Sequence, residues 1–346
     1  MKRRRALVAA TIAALLTNCG QLQPSLVVPA DRYAQPYAKG HGTWQSIADD
    51  GALQAIVRLK NGDFWITGED VETLSRVTPK GHVTTYPIGY YAVEMTADRN
   101  GDLWFTNARS LQVIVRATLG ATLHLTPFSL SDEAYGGIIL GGDGNIWFTE
   151  GSHVGRLTPA GALKEYPTPQ TMGASGLAWA PSGLVWFSTY NASYHSYVLT
   201  SLDPATASVE QYDVPTTSSA VAMLATSDGA LWFELTGQRD TLVRYDPATQ
   251  QEAKFMAPRD FGGSPCPGSI AVAPDGSIWF ATQRLRGIRF DKRVVGGGFV
   301  RFDVKAHRFT AYASPHGYHW NCDLIVAPNG KVWGTSDEAV TTLSGG

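Results

Sequence analysis

Apolar residues recur along this chain in seven short runs of one design, each opening on a glycine turn and closing on Trp and its neighbours. They read NGDFWIT at 61–67, NGDLWFT at 100–106, DGNIWFT at 143–149, SGLVWFS at 182–188, DGALWFE at 228–234, DGSIWFA at 275–281 and NGKVWGT at 329–335. The tryptophans are Trp65, Trp104, Trp147, Trp186, Trp232, Trp279 and Trp333, with spacings of 39, 43, 39, 46, 47 and 54 residues. Such spacings lie near the roughly 40–50 residue period of propeller blades.

Each copy predicts four strands. An apolar run such as 268–273 forms the innermost strand, and Asp275-Gly276 supplies the positive-φ residues of a tight two-residue hairpin turn. The returning strand carries Ile278, Trp279 and Phe280 in succession rather than alternation, as a strand covered on both faces requires. A third strand follows at Arg76-Val77, Arg156-Leu157, Arg244-Tyr245 and Arg301-Phe302, and a fourth carries the anchors Tyr86, Tyr166, Tyr212, Phe255 and Tyr312. After Trp333 only one further strand remains, around 339–343. Residues 42–47 read as the missing fourth strand and should close blade seven. The expected fold is therefore all-β, a seven-bladed β-propeller over residues 42–346 with an N-terminal strand closing the last blade.

The N-terminus changes the picture of where the protein works. Lys2, Arg3, Arg4 and Arg5 precede an apolar run from Ala6 to Leu16, too short for a membrane-spanning helix, so residues 1–18 read as an export signal. Leu16-Thr17-Asn18-Cys19-Gly20 resembles a bacterial lipoprotein box with Cys19 as the lipidated residue; cleavage near Val28-Pro29-Ala30 is the competing reading. Residues 19–41 would be a tether. Any membrane contact would then run through the lipid anchor, and the location would be the cell envelope or the secreted space.

The whole chain has a net charge of −2, and removing the four cations of residues 1–18 leaves −6. Mild acidity argues against a nucleic-acid partner. Export also bears on Cys266 and Cys322, which stand thirteen and eleven residues before their blade tryptophans, at the start of adjacent innermost strands. A disulfide between them is expected in an oxidising compartment, the alternative being two buried free thiols.

The phrase DGNIWFTEGSHVGRLTPAGALKEYPTP at 143–169, together with DGSIWFA at 275–281, resembles the blades of virginiamycin B lyases, the streptogramin-lyase-like propellers, over roughly residues 42–343. That resemblance implies elimination chemistry on a cyclic depsipeptide, with a histidine base at the start of an innermost strand and a magnesium ion held by carboxylates. The base would stand eleven residues before a blade tryptophan. Those positions hold Gln54, Val93, Gly136, Ser175, Val221, Gly268 and Cys322, and none is histidine. Only Glu150, in its WFTE context, matches the family phrase.

Residues just before the first strands and just after the second strands surround one mouth of the channel, where propellers bind ligands. The candidates gathered there are Glu94, Tyr135, Glu150, His153, Tyr194, Glu234 and Asp323. His316 and His319, in SPHGYHWNCD, are the substitutes for the missing base, with Asp323 nearby; hydrogen-bonded surface histidines are the plainer reading. Glu150 and Glu234 would suit Mg2+ or Ca2+, against a plainer reading as solvated glutamates. A basic flap with Arg284, Arg286, Arg289, Lys292 and Arg293 adds an anion-attracting element or an ordinary solvated hairpin.

Two functions remain open. One is a cell-envelope binding or scaffold protein taking a small-molecule, peptide or glycan ligand at the mouth. The other is a metal-dependent lyase or lactonase-type hydrolase with a rearranged site.

Overall fold

The computed structural model describes residues 38–48, 53–68, 72–108, 112–120, 122–134, 137–168, 175–191, 196–216, 220–235, 241–256, 264–288, 291–314, 323–335 and 339–345. These form seven sheets, the four strands of each blade antiparallel, and no helix. Blade one comprises Leu53–Arg58, Phe64–Gly68, Thr73–Val77 and Val83–Pro87, hydrogen-bonded in chain order. Blades two to six repeat that order. Each innermost strand touches that of the next blade, and Leu324–Val326 of blade seven touches Leu53–Arg58 of blade one, so the ring is closed.

The repeat folds this way because each blade buries both faces of its second strand. Leu103–Asn107 and Ile146–Glu150 are buried at every position. Trp147 packs with Leu177, Val185 and Phe187 of blade four, and Trp232 packs with Ile278 and Phe280 of blade six. The fourth-strand aromatics serve the same purpose within a blade: Tyr166 lies 5.6 Å from the Trp147 ring, Tyr212 4.9 Å from Trp186 and Tyr312 5.3 Å from Trp279. Third-strand arginines cover the remaining indole surface, with Arg116 5.5 Å from the Trp104 ring centre. An offset aromatic pair adds on the order of 1 kcal/mol to its area burial.

Closure follows the expected plan. Thr43–Ala48 pairs antiparallel with Ala339–Ser344, from Thr43 opposite Ser344 to Ala48 opposite Ala339. Trp44 stacks 5.2 Å from Phe299 of blade six. Gly334, which stands where most blades have Phe, leaves the space that the Phe299 ring occupies.

Two details differ from the sequence reading. The turn before the second strand has three residues rather than two: Gly276 N donates to Ala273 O at 2.9 Å and Ala273 N to Ser277 O at 2.8 Å. Only Gly276 (φ 82°) takes positive φ, and Asp275 instead accepts from Ser277 N at 2.9 Å. A type I turn followed by a left-handed glycine thus replaces the mirror-image two-residue turn, because the aspartate caps the strand through its carboxylate. In addition, the segment expected as a tether through residue 41 is docked at its end. Ala38–Lys39 runs parallel to Arg308–Ala313 and makes a fifth strand on blade six.

Candidate functional site at the channel mouth

The innermost strands do not begin as regular strands. Their pairing with the second strand breaks between Leu53 and Ile56, Ala92 and Met95, Ser175 and Ala178, Ala220 and Met223, and Pro265 and Ile270. In the first four, two residues stand against one as in a β-bulge, which re-aims residues and recurs beside active sites; in blade six four residues stand against one, a wider irregularity. The bulges form a rim around one mouth.

In blades one, two and seven, hydroxyl groups two residues after the blade tryptophan hold that rim. Thr67 Oγ1 accepts from Ala55 N at 3.0 Å and donates to Val93 O of blade two at 3.0 Å. Thr335 Oγ1 repeats the pattern, accepting from Asp323 N at 3.1 Å and donating to Gln54 O of blade one at 3.0 Å. Each threonine therefore satisfies backbone groups that the bulge removes from the ladder and ties one blade to the next. Sequence reasoning passed over this role, although a Thr or Ser stands at that position in five of the seven copies.

Glu94 sits in the bulge of blade two, with its backbone N donating to Thr106 Oγ1 at 3.1 Å. Its side chain keeps partial exposure, yet burial pushes its carboxyl up to about 7. A carboxyl lining a narrow channel has both properties, because water reaches it from one direction only. Asp323, at the start of blade seven, instead serves closure: Oδ2 accepts from Ile56 N of blade one at 2.9 Å and Oδ1 from Leu324 N at 2.8 Å.

Blade three forms a second acidic locus. Glu150 and His153 face each other across the turn 151–152, and His153 Nδ1 lies 3.3 Å from Ser152 Oγ. Gly151 lacks the Cβ that would collide with Asp132, and the Asp132 carboxylate accepts from Ser152 N at 3.3 Å. Glu165 accepts from Ser131 N at 3.0 Å. Glu150 is 1% exposed, and neither of its carboxyl oxygens has a hydrogen-bond partner. Burial, then the negative charge of Glu165, pushes its carboxyl up to about 8. Asp132 and Glu165 were not singled out in the sequence; they lie in other strands or loops, and no local motif marks them.

The other candidates fall as follows. Glu234 is buried opposite Leu242 in blade five. Beside the candidate Tyr194, which lies outside the described residues, Tyr190 and Tyr197 of blade four meet edge to face at 5.3 Å. Arg284 is registered opposite Gly296 and Arg286 opposite Arg293. Cys266 lies within the strand Ser264–Val272. Cys19, Tyr135, Tyr194, His316, His319 and Cys322 lie outside the described residues. Among the described residues, no three His, Cys, Asp or Glu side chains are grouped as a metal's ligands.

Seven four-stranded blades around a bulge-rimmed mouth define a seven-bladed propeller with a candidate ligand site at one end of its channel. The chain belongs to the virginiamycin B lyase family, whose profile matches residues 42–340. Among solved structures it is similar to virginiamycin B lyase from Staphylococcus aureus, at 20% identity and TM-score 0.72, covering 88% of this chain and 99% of that one. A catalytically inactive histidine-to-alanine variant of the Staphylococcus aureus enzyme, solved with quinupristin, matches at 19% identity and TM-score 0.72 over 88% and 99%. A protein described as a putative gluconolactonase matches at 12% identity and TM-score 0.52 over 90% and 96%. A search of curated protein sequences finds no match.

Proposed function

We propose that this chain is an exported cell-envelope protein that binds a ligand at the channel mouth and does not open streptogramins. One observation carries the reading. The positions where the family's base would stand lie on or beside the bulges of the rim, at Gln54, Val93, Ser175, Val221 and Gly268, and none of the seven, with Gly136 and Cys322, is histidine. The inactive variant of the Staphylococcus aureus enzyme lost a single histidine, which supports the weight placed on this absence.

Glu94 and His153, with Tyr135 and Tyr194, are the side chains offered to a small-molecule, peptide or glycan ligand. The leader of residues 1–18 and Cys19 support export with a lipid anchor. Export in turn supports the Cys266–Cys322 disulfide, checked by thiol titration of denatured protein without reductant. Incubation with a type B streptogramin and magnesium should give no ring opening above a control without protein. Robust turnover would overturn the reading.

The carboxyl of Glu94, near 7 at the rim, favours a second reading in which a rearranged site uses Glu94 as a general base. In that case any turnover found with another substrate should vanish in Glu94→Gln.

A further inference from the structure

Blade six differs from the other blades in having a long arm. Ile278–Ile288 and Asp291–Asp303 pair continuously from Ile278 opposite Phe302 to Ile288 opposite Asp291, with one break between Arg284 and Leu285. The innermost strand pairs no farther along it than Gln283, and the outer strand no farther than Gly298. Residues 284–288 and 291–296 therefore pair as a two-stranded ribbon with neither edge joined to a third strand among the described residues.

We propose that this arm is a docking ribbon for an anionic phospholipid surface. The proposal rests on the reading of the chain as an exported, envelope-anchored propeller, and it adds a second membrane contact to the anchor.

Charge is the first argument. Residues 284–293 contain Arg284, Arg286, Arg289, Lys292 and Arg293 against Asp291 alone, a net +4. The whole chain carries −2, so everything outside the arm sums to −6. Charges of either sign can guard a sheet edge against pairing. A ribbon of one sign on a body of the other does more, because it orients the protein towards an anionic partner. The register adds a second argument: Arg286 stands directly opposite Arg293, and like charges in that relation destabilise a ribbon until an anion lies against them.

Composition selects lipid over nucleic acid or sulfated glycan. Leu285, Ile288, Phe290, Val294 and Val295 interleave with the cations, and basic residues mixed with aliphatic and aromatic ones suit the headgroup boundary. Placement agrees. The sheet that bears the arm also receives Ala38–Lys39, the described start of the chain. The 19 steps from Cys19 to Ala38 reach at most roughly 60 Å, enough for one bilayer to meet both the anchor and the arm.

The test uses the full chain carrying Cys19→Ala, which cannot be acylated, and measures co-sedimentation with vesicles. Mixed phosphatidylcholine–phosphatidylglycerol vesicles should bind it at least about tenfold better than pure phosphatidylcholine, with the preference fading as salt rises. Replacing Arg284, Arg286, Arg289, Lys292 and Arg293 together by Gln should remove at least about tenfold of that binding. Arg286→Glu should weaken vesicle binding while leaving the melting temperature unchanged or higher, since it turns the repulsion with Arg293 into attraction; this second variant covers a failure of the first to fold. Equal vesicle binding by either variant when folded, or binding to heparin or DNA with none to phosphatidylglycerol, would overturn the proposal. Neither readout involves a ligand at the channel mouth. A leader found uncleaved and unlipidated in cells would sink the envelope reading without altering the vesicle result.

Discussion

The two ends of this propeller are built from the same repeat and look unlike each other. At the end bearing the glycine turns, the turn glycines 62, 101, 144, 183, 229, 276 and 330 all adopt φ between 79° and 92°. Their neighbours also repeat, with Asp63, Asp228 and Asp275 paired to Arg76, Arg244 and Arg301. At the mouth, equivalent bulge positions hold Gln54, Val93 and Val221, and blade three buries Glu150 without a partner. The turn end has a backbone requirement, and every blade meets it with the same residue. The mouth has no shared requirement beyond its bulges and hydroxyl ties, so side chains there are free to differ from blade to blade.

The sharpest way to break this contrast acts on closure, which both ends need. Removing residues 38–48 should leave the edge of Ala339–Ser344 open, lower the melting midpoint by roughly 10 °C or more and promote aggregation. Calorimetry and size-exclusion chromatography measure both effects, and a truncated protein that melts like the parent would refute the closure. Next in size, Trp147→Ala should cost about 3–5 kcal/mol in chemical denaturation, since the indole is fully buried between blades. Glu94→Gln, at the mouth, removes a carboxyl that burial holds up to about 7, so it should leave stability at pH 7 unchanged or raised rather than lowered. If the two variants unfolded alike, the division between a structural repeat and a variable mouth would fail.

A further effect depends on pH. Glu150 has a folded-state value of about 8 against an ordinary 4.5, so the folded protein holds a proton that the unfolded chain releases. Its contribution is fully present below about pH 4.5 and is lost as pH rises through about 8. Glu150→Gln should therefore be more stable than the parent at pH 9, by on the order of 2 kcal/mol, with the difference shrinking towards pH 4. Denaturant titrations across that range decide it, and a difference independent of pH would show that Glu150 is not the buried acid described.

The architecture was legible because its determinants are local and repeated sevenfold: a turn glycine, a tryptophan and an unbroken apolar strand. Closure was legible too, since a missing strand at one end and a spare strand at the other have only one pairing. The mouth was not. The recurring Thr or Ser two residues after the tryptophan was visible in the sequence, but not its partner: Thr67 accepts from the Ala55 amide twelve residues away, across the bulge. The cluster around Glu150 was hidden for a related reason: Asp132 and Glu165 reach it from a preceding loop and a fourth strand. Asp323 was legible as a mouth residue, while its bond to Ile56, 267 positions away, was not.

The pairing of Thr43–Ala48 with Ala339–Ser344 joins residues about 300 apart, so the earliest-made part of the propeller waits for the latest. The four strands of every other blade can assemble from neighbours as they are made, but the ring cannot lock until the strand Ala339–Ser344 is present. A chain cut short of residue 339 keeps six complete blades and an open end, and an unpaired edge marks it for proteases. The fold thus makes closure of the ring depend on the strand Ala339–Ser344 finding its partner at the other end of the propeller.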